Sequence, residues 1–399
     1  MGVSAIKTIR TLAPSELIYA TSTVCIAYSV LATGDLDIDK LTRAFEILRA
    51  RNPILNAHLL IRDDASAVEL RVAEDSQARV IVTDGDPELV LTGAQLDQSR
   101  ETSALLVIRG EHAARVTLLI HHSIADGHHS LTLLEELWAY YTTVSAGGIL
   151  SPEPRDYPSS VEELLNDQAL EPVPYPLPVD APLIGTLSME AVRCPLSPEA
   201  TTALLDFAKR EQLTVNALLS AAVLLTESKF RNVALPALNY VFAVDLRERI
   251  DPPIAPTAAT NAFGYGEYTA ESDESELVAL ARSVAAAFKT ELADGVIVDK
   301  ARAGYNPNLV VTGIVRSSNW GRIPEFETPD GLRLSDFRGG MTVNPPAVAP
   351  PSGELAPGEY FVHTFQGRLS IDFIPLPWLQ ETEKQGRADM LAKLLGEFA

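Results

Sequence analysis

The chain has 399 residues, 46% of them hydrophobic and 21% charged, a balance that fits a folded globular protein and excludes global disorder or a fibrous repeat. Its 32 Lys and Arg against 53 Asp and Glu give a formal charge of -21, which works against nucleic acid as a partner because that affinity comes from neutralising phosphates. The two cysteines, Cys25 and Cys194, lie far apart, so neither a disulfide framework nor a Cys-rich zinc site is expected, and a reducing cytoplasm is the natural setting.

At about 150 residues per domain, the length suggests two or three domains, or one large architecture with two cores. The N-terminus carries Lys7 and Arg10 without a following apolar block, so it does not read as a secretory signal. It also has Ile6 where a myristoylation signal needs Ser or Thr. Ile38, Leu41, Phe45 and Leu48 recur at helical spacing after an acidic start, and Asn52-Pro53 ends that helix. Residues 104–108 and 116–120 read as strands separated by a turn around Gly110. Leu131, Leu134, Trp138 and Tyr141 mark an amphipathic helix that stops at Gly147-Gly148, which puts 121–130 at a strand-to-helix junction.

Between 151 and 182 the composition shifts. Pro152, Pro154, Pro158, Pro172, Pro174, Pro176, Pro178 and Pro182 break regular structure and favour an extended, semi-rigid connector. The expected organisation is a lobe over 1–150, a Pro-rich crossover over 151–190 and a second lobe over 191–399. In the latter, Ser197-Pro198 starts a helix, Thr214 caps a second, and a third runs from about 274 to 293 before Gly295. Strands are expected at 239–245, 309–315, 360–365 and 369–373, the last two joined by Gln366-Gly367. The most apolar stretch, 215–225, is interrupted by Asn216 and Ser220 and is too short to span about 30 Å of hydrocarbon, so no transmembrane segment is expected. The working architecture is α/β in two layered halves.

Five of the seven histidines, His112, His121, His122, His128 and His129, fall between 112 and 129. Imidazole accepts a proton near neutral pH, and a His just past a buried strand projects from a rigid support, as a general base must. Asp126, four residues beyond His122, can meet the positive end of the following helix or pair with an Arg from elsewhere. Gly127 suits a sharp backbone turn or a close approach. The plainer alternative is a capped strand-to-helix turn with two incidental histidines.

The string His121-His122-Ser123-Ile124-Ala125-Asp126-Gly127 resembles the HHxxxDG signature of the superfamily containing nonribosomal peptide condensation domains and chloramphenicol acetyltransferase-like enzymes. With His128-His129, Val244-Asp245-Leu246-Arg247 and Thr260-Asn261 before Gly264, the chain looks most like its polyketide-associated acyltransferases of the phthiocerol dimycocerosyl transferase type. The resemblance implies two acetyltransferase-like α/β sandwich lobes with a channel between them. It implies an O-acyltransferase in which His122 is the base, His121 supports it, and Asp126, Gly127 and Arg247 brace its loop. The donor would be an acyl thioester on CoA or on a carrier protein of a polyketide synthase, the acceptor an alcohol, and transfer direct, with no metal and no cofactor beyond the co-substrate. The stretch Ser318-Asn319-Trp320-Gly321-Arg322 resembles a loop that faces the motif His in related acyltransferases, so Asn319, Trp320, Gly321 and Arg322, together with Asn261, are candidate substrate or carrier contacts. The plainer readings are a core Trp320, a surface Arg322 and an Arg247 that is a solvated strand-end charge.

Residues 301–340 hold five Arg, at 302, 316, 322, 333 and 338, against four acids, a local balance that would tolerate an acidic carrier protein. A metal hydrolase is a rival, since the histidine cluster offers ligands, but adjacent His121 and His122 on a strand end point to opposite faces and no HExxH helix is present. A non-catalytic carrier-binding role and an amide-forming condensation are the other rivals. There is no G-x-S-x-G elbow, and the two cysteines read as packing residues. A monomer acting in the cytoplasm, near a membrane because products of this family are greasy, completes the expectation.

Overall fold

The computed structural model describes residues 6–73, 76–166, 174, 184–185, 187–304, 313–344, 358–375 and 379–396. In chain order the elements are β1 (Ile6–Thr11), α1 (Pro14–Thr21), β2 (Cys25–Gly34), α2 (Ile38–Arg51), β3 (Ala57–Ile61), β4 (Val68–Ala73), β5 (Val80–Asp84), β6 (Ser103–Arg109), β7 (Ala113–His121), α3 (Gly127–Ser145) and α4 (Val161–Leu165). They continue with β8 (Leu187–Glu190), β9 (Val192–Pro195), α5 (Pro198–Arg210), α6 (Val215–Arg231), β10 (Asn239–Asp245), β11 (Phe263–Tyr268), α7 (Leu277–Ala293) and α8 (Val296–Arg302). The last are β12 (Ile314–Arg322), β13 (Leu332–Val343), β14 (Gly358–Phe365), β15 (Arg368–Ile374) and α9 (Glu381–Gly396). No single described helix is long and apolar enough to cross a membrane.

The chain divides into two units, each α/β. The first comprises Met1–Glu190, Leu246–Phe263 and Pro324–Ala347, and the second Ala191–Asp245, Gly264–Ile323 and Val348–Ala399. A continuous second lobe over 191–399 is therefore corrected: two later stretches return to the first unit. The physical reason is strand pairing. β13 runs antiparallel beside β2, with Leu332 opposite Gly34 and Thr342 opposite Cys25, and it also pairs with β8, so its backbone groups are satisfied only in the first sheet. Of the expected 151–190 crossover, residues 167–173, 175–183 and 186 fall outside the described residues.

In the first unit a six-stranded sheet has the order β5-β6-β7-β2-β13-β8, and a smaller sheet has the order β1-β4-β3. β6 and β7 are buried along nearly their whole length, which is why both read as apolar runs without alternation. α2 and α3 pack on one another. Asp37 caps α2 by accepting from the N–H groups of Asp39 and Lys40, and α2 buries Leu41, Ala44, Phe45 and Leu48 at helical spacing. Gly34 is demanded by the β2–β13 approach. Its φ is +101°, and a Cβ there would stand 2.0 Å from the carbonyl oxygen of Gly331.

The second unit is a six-stranded sheet in the order β11-β10-β12-β14-β15-β9. β10, β12 and β14 run parallel, while β15 runs antiparallel to β14 and β9. Ser197 and Thr214 cap α5 and α6 through the N–H groups of Ala200 and Ala217. The third expected helix starts later than 274, because Glu276 is its cap. Gln366 and Gly367, both at positive φ, turn β14 into β15. Of the strand expected at 309–315, residues 309–312 lie outside the described residues. The strand that is present, β12, runs on to Arg322, so Asn319, Trp320, Gly321 and Arg322 belong to a strand instead of a loop. Cross-strand pairing with β14 explains the difference: Asn319 stands opposite Val362 and Arg322 opposite Thr364, which carries the ladder past the polar stretch.

Candidate active site

The HHxxxDG segment lies in the first unit between the end of β7 and the start of α3. His121 is the last residue of the strand, opposite Cys25 of β2. The chain then turns, with the Ile124 N–H donating to the His121 carbonyl at 3.0 Å. Gly127 is the first helical residue, not the site of the turn, which is made before it; Asp126 is extended, with φ -84° and ψ -176°.

Asp126 is the N-cap of α3 and is almost fully buried. Its Oδ1 accepts from the His129 N–H at 2.9 Å and from Arg247 Nη2 at 3.0 Å, and its Oδ2 accepts from the Ala262 N–H at 2.9 Å. The Asp126 N–H donates to the Thr260 carbonyl at 2.7 Å. Arg247, equally buried, also donates through Nε to the Pro256 carbonyl at 3.0 Å. The carboxylate thus ties the motif to the 247–262 segment, and its lone pairs are committed to that task. Arg247 is not a solvated charge.

His122 is placed differently. It is half-buried, and its own N–H donates to the Val24 carbonyl at 2.8 Å, which anchors its backbone to the segment before β2. Its Nδ1 lies 3.1 Å from Asn261 Oδ1, while Asn261 Nδ2 donates to the His122 carbonyl at 3.0 Å. The second bond fixes which end of the amide faces the ring. An amide oxygen only accepts, so Nδ1 carries the hydrogen and Nε2 carries the lone pair. Burial holds the imidazole below its ordinary value, opposed by its own backbone carbonyl, the Asp126 charge and the Asn261 amide. His122 is therefore neutral at pH 7 and basic at Nε2. The Tyr19 ring lies parallel to the imidazole, 3.8 Å between centroids and 4° between planes, and Phe263 stands tilted at 6.2 Å.

The neighbouring histidines are placed differently. His121 is fully buried, its Nδ1 accepts from the Ser123 N–H at 3.2 Å, and burial, with the adjacent His122, pushes it down to about 3. His129 is buried, its Nδ1 faces the Ala259 carbonyl at 3.0 Å, and burial pushes it down to about 4. His112 and His128 are exposed. Among the described residues no three His, Cys, Asp or Glu side chains gather as a metal would require. Burial pushes the thiols of Cys25 and Cys194 up to about 12, so neither is a nucleophilic thiolate at neutral pH.

The expected binding residues part company. Asn261, expected as a substrate contact, is fully buried and spends its amide on His122. Asn319, Trp320, Gly321 and Arg322 belong to the second unit. There Trp320 stacks on Phe361 at 4.5 Å and on His363 at 6.2 Å, and Asn319 donates to Asn216 Oδ1 at 2.9 Å. Of the five arginines in 301–340, Arg302 is paired with Asp299, and Arg338 is held by Asp336 and Glu88. Tyr19 escaped sequence reading because nothing in the Pro-Ser-Glu start of α1 marks it. The only sequence signal for the pairing of Asn261 is its place beside Thr260.

Residues 185–374 match the family model described as the phthiocerol/phthiodiolone dimycocerosyl transferase C-terminus. The phthiocerol/phthiodiolone dimycocerosyl transferase of Mycobacterium tuberculosis is 31% identical over 369 residues, covering 83% of this chain and 85% of the relative. The relative from Mycobacterium ulcerans is 32% identical over 359 residues, covering 82% and 84%. Among solved structures, polyketide synthase associated protein 5 from Mycobacterium tuberculosis superposes with a TM-score of 0.79 at 29% identity, over 99% of this chain and 100% of that one. Trichothecene 15-O-acetyltransferase from Fusarium sporotrichioides has the same fold, with a TM-score of 0.67 at 12% identity over 98% and 95%. The chain is an acyltransferase and belongs to the phthiocerol/phthiodiolone dimycocerosyl transferase family.

Proposed function

We propose that the protein moves an acyl group from a thioester, on CoA or on a carrier-protein phosphopantetheine arm, directly to the hydroxyl of a lipid- or polyketide-type acceptor. His122 Nε2 takes the hydroxyl proton as the oxygen attacks the thioester carbonyl. The tetrahedral intermediate then expels the thiolate, which recovers that proton from the imidazolium. The observation that carries this reading is the pairing of Asn261 with both the His122 ring and the His122 carbonyl, which leaves Nε2 as the free base. The protonated state of both cysteines supports transfer without an acyl-enzyme. A thioester is already activated, so positioning and one base supply most of the acceleration.

The relatives are named for phthiocerol and phthiodiolone, which supports a greasy acceptor, and the similar solved structure is named as polyketide synthase associated, which supports a polyketide synthase or its carrier protein as the donor's source. The test is a mass-spectrometric transfer assay with acyl-CoA and acyl-carrier donors against a panel of alcohols and amines, beside His122→Ala. Ester products that vanish with His122→Ala are expected. Amide products only, or an undiminished His122→Ala enzyme, would overturn the reading.

A further inference from the structure

We propose that Tyr19, presented by α1, is a positioning residue for His122: its ring holds the imidazole in plane and its π face steadies the positive charge that the imidazole gains when it takes a proton. The inference rests on the reading of His122 as base and goes beyond it, because it assigns a role to a helix that the motif does not include.

The stack is built from the backbone outward. The Val24 N–H donates to the Tyr19 carbonyl at 3.0 Å, and the Val24 carbonyl accepts from the His122 N–H at 2.8 Å. A single residue therefore spaces the two rings, which lie 3.8 Å apart and 4° from parallel. α1 is itself pinned to both loops that shape His122. The Ser123 hydroxyl, next to His122, donates to the Glu16 carbonyl at 2.8 Å. The Thr260 hydroxyl, next to Asn261, donates to the Glu16 carboxylate. That carboxylate is fully buried and is held in turn by two N–H groups of Arg10 and by the Ala13 N–H at 2.9 Å. Glu16 thus sits three residues before Tyr19 and fixes the helix against the two segments that hold the imidazole from its other sides.

Such fixing has chemical content. Asn261 restrains the ring only through its Nδ1 edge, which leaves rotation about that bond open, and a flat partner on one face closes it. The face of a tyrosine ring is negative, so it attracts imidazolium more than imidazole. Tyr19 is 8% exposed, so its ring is packed inside the protein against the imidazole. Its effect is expected in kcat, with KM unchanged, because the stack favours the charged state formed during reaction over the neutral ground state.

The experiment compares Tyr19→Phe and Tyr19→Leu in the full chain. Rates are followed with octanoyl-CoA and 1-octanol, and the His122 ring nitrogens by NMR of protein carrying 15N-histidine, assigned by their loss in His122→Ala. Tyr19→Leu is expected to lower kcat roughly tenfold, to leave KM in place, and to move both the acidic limb of the rate profile and the His122 titration to lower pH. Tyr19→Phe, which keeps the π face, is expected to restore all three. A Tyr19→Leu protein that folds and shows an unchanged His122 titration and kcat overturns the proposal, as does a Tyr19→Phe protein as impaired as Tyr19→Leu. Should Tyr19→Leu not fold, Tyr19→Met carries the same comparison. Undiminished activity in His122→Ala would instead bring down the general-base reading, while the NMR titration still decides whether the stack acts on the ring.

Discussion

Asp126 in the first unit reaches one arginine and two backbone N–H groups, all on segments that border His122. Glu227 in the second unit is as deeply buried and takes the Arg231 and Arg387 guanidinium groups and the Tyr360 hydroxyl, on α6, α9 and β14. Both carboxylates are consumed by structural partners, and either would be expensive to strip of them. What differs is the neighbour. Four residues from Asp126 stands an imidazole whose Nδ1 is held by Asn261, whereas the Glu227 carboxylate is ringed by two guanidinium groups and a tyrosine hydroxyl. Buried charge by itself therefore does not mark a reacting group; the function proposed here rests instead on a half-buried base beside a saturated brace.

The largest expected effect separates the base from its brace. His122→Ala should lower acyl transfer by about 10²–10⁴-fold while the melting temperature stays near that of the parent. A comparable loss of melting temperature would erase the distinction. Next in size, Asp126→Ala should cost about 3–5 kcal/mol of folding stability, since it strands Arg247 and opens the cap of α3, and it should lower activity as well. Glu227→Ala should cost a similar amount, about 3–5 kcal/mol, yet leave kcat of the folded fraction unchanged. Denaturant titration paired with kcat on each variant reads both quantities, and an Asp126→Ala enzyme that is inactive but fully stable would give Asp126 a direct chemical part.

The motif's other histidines sharpen the comparison through pH. Folded values of about 3 for His121 and about 4 for His129 lie below the ordinary 6.5 of an unfolded chain. Between those limits the unfolded state binds protons that the folded state refuses. Stability is complete above about pH 6.5 and drains away as pH falls toward 4 and then 3. Each histidine contributes a slope of up to about 1.4 kcal/mol per pH unit. Urea titrations at pH 7.5, 6 and 5 should show the loss, and a flat profile would contradict the burial of both rings.

A smaller effect is expected at the tautomer lock. Asn261→Leu should lower kcat by about tenfold and leave the His122 carbonyl without its donor, and 15N shifts of the ring should report a mixed tautomer. An unaltered ring spectrum would remove Asn261 from the mechanism. The smallest effect belongs to Cys25→Ala, for which transfer should be unchanged. A dead variant with normal stability would call for a covalent thiol step.

Some of this was readable in advance. The capped helices at Ser197 and Thr214, the apolar strands around 104 and 116, and the β14–β15 turn follow from local chemistry: side-chain caps, periodicity and turn residues act within a few positions of each other. The turn that carries His122 was likewise visible, because a buried strand and an amphipathic helix bracket it. Less legible was the true extent of β12, whose polar end reads as a loop until β14 pairs with it. The same holds for the return of β13 to the first sheet, where the partners stand about three hundred residues apart in sequence.

Local sequence thus determined where a base can be presented and which caps support it, because those features depend on bonds between near neighbours. Tertiary structure alone decided what surrounds that base. The pairing of Asn261 with the imidazole and the stacking of Tyr19 on it come from segments with no periodic or compositional link to the motif, and these roles arise from hydrogen-bond direction and ring stacking at a few ångströms. Such contacts are set by how the chain packs, so no stretch of it read alone contains them.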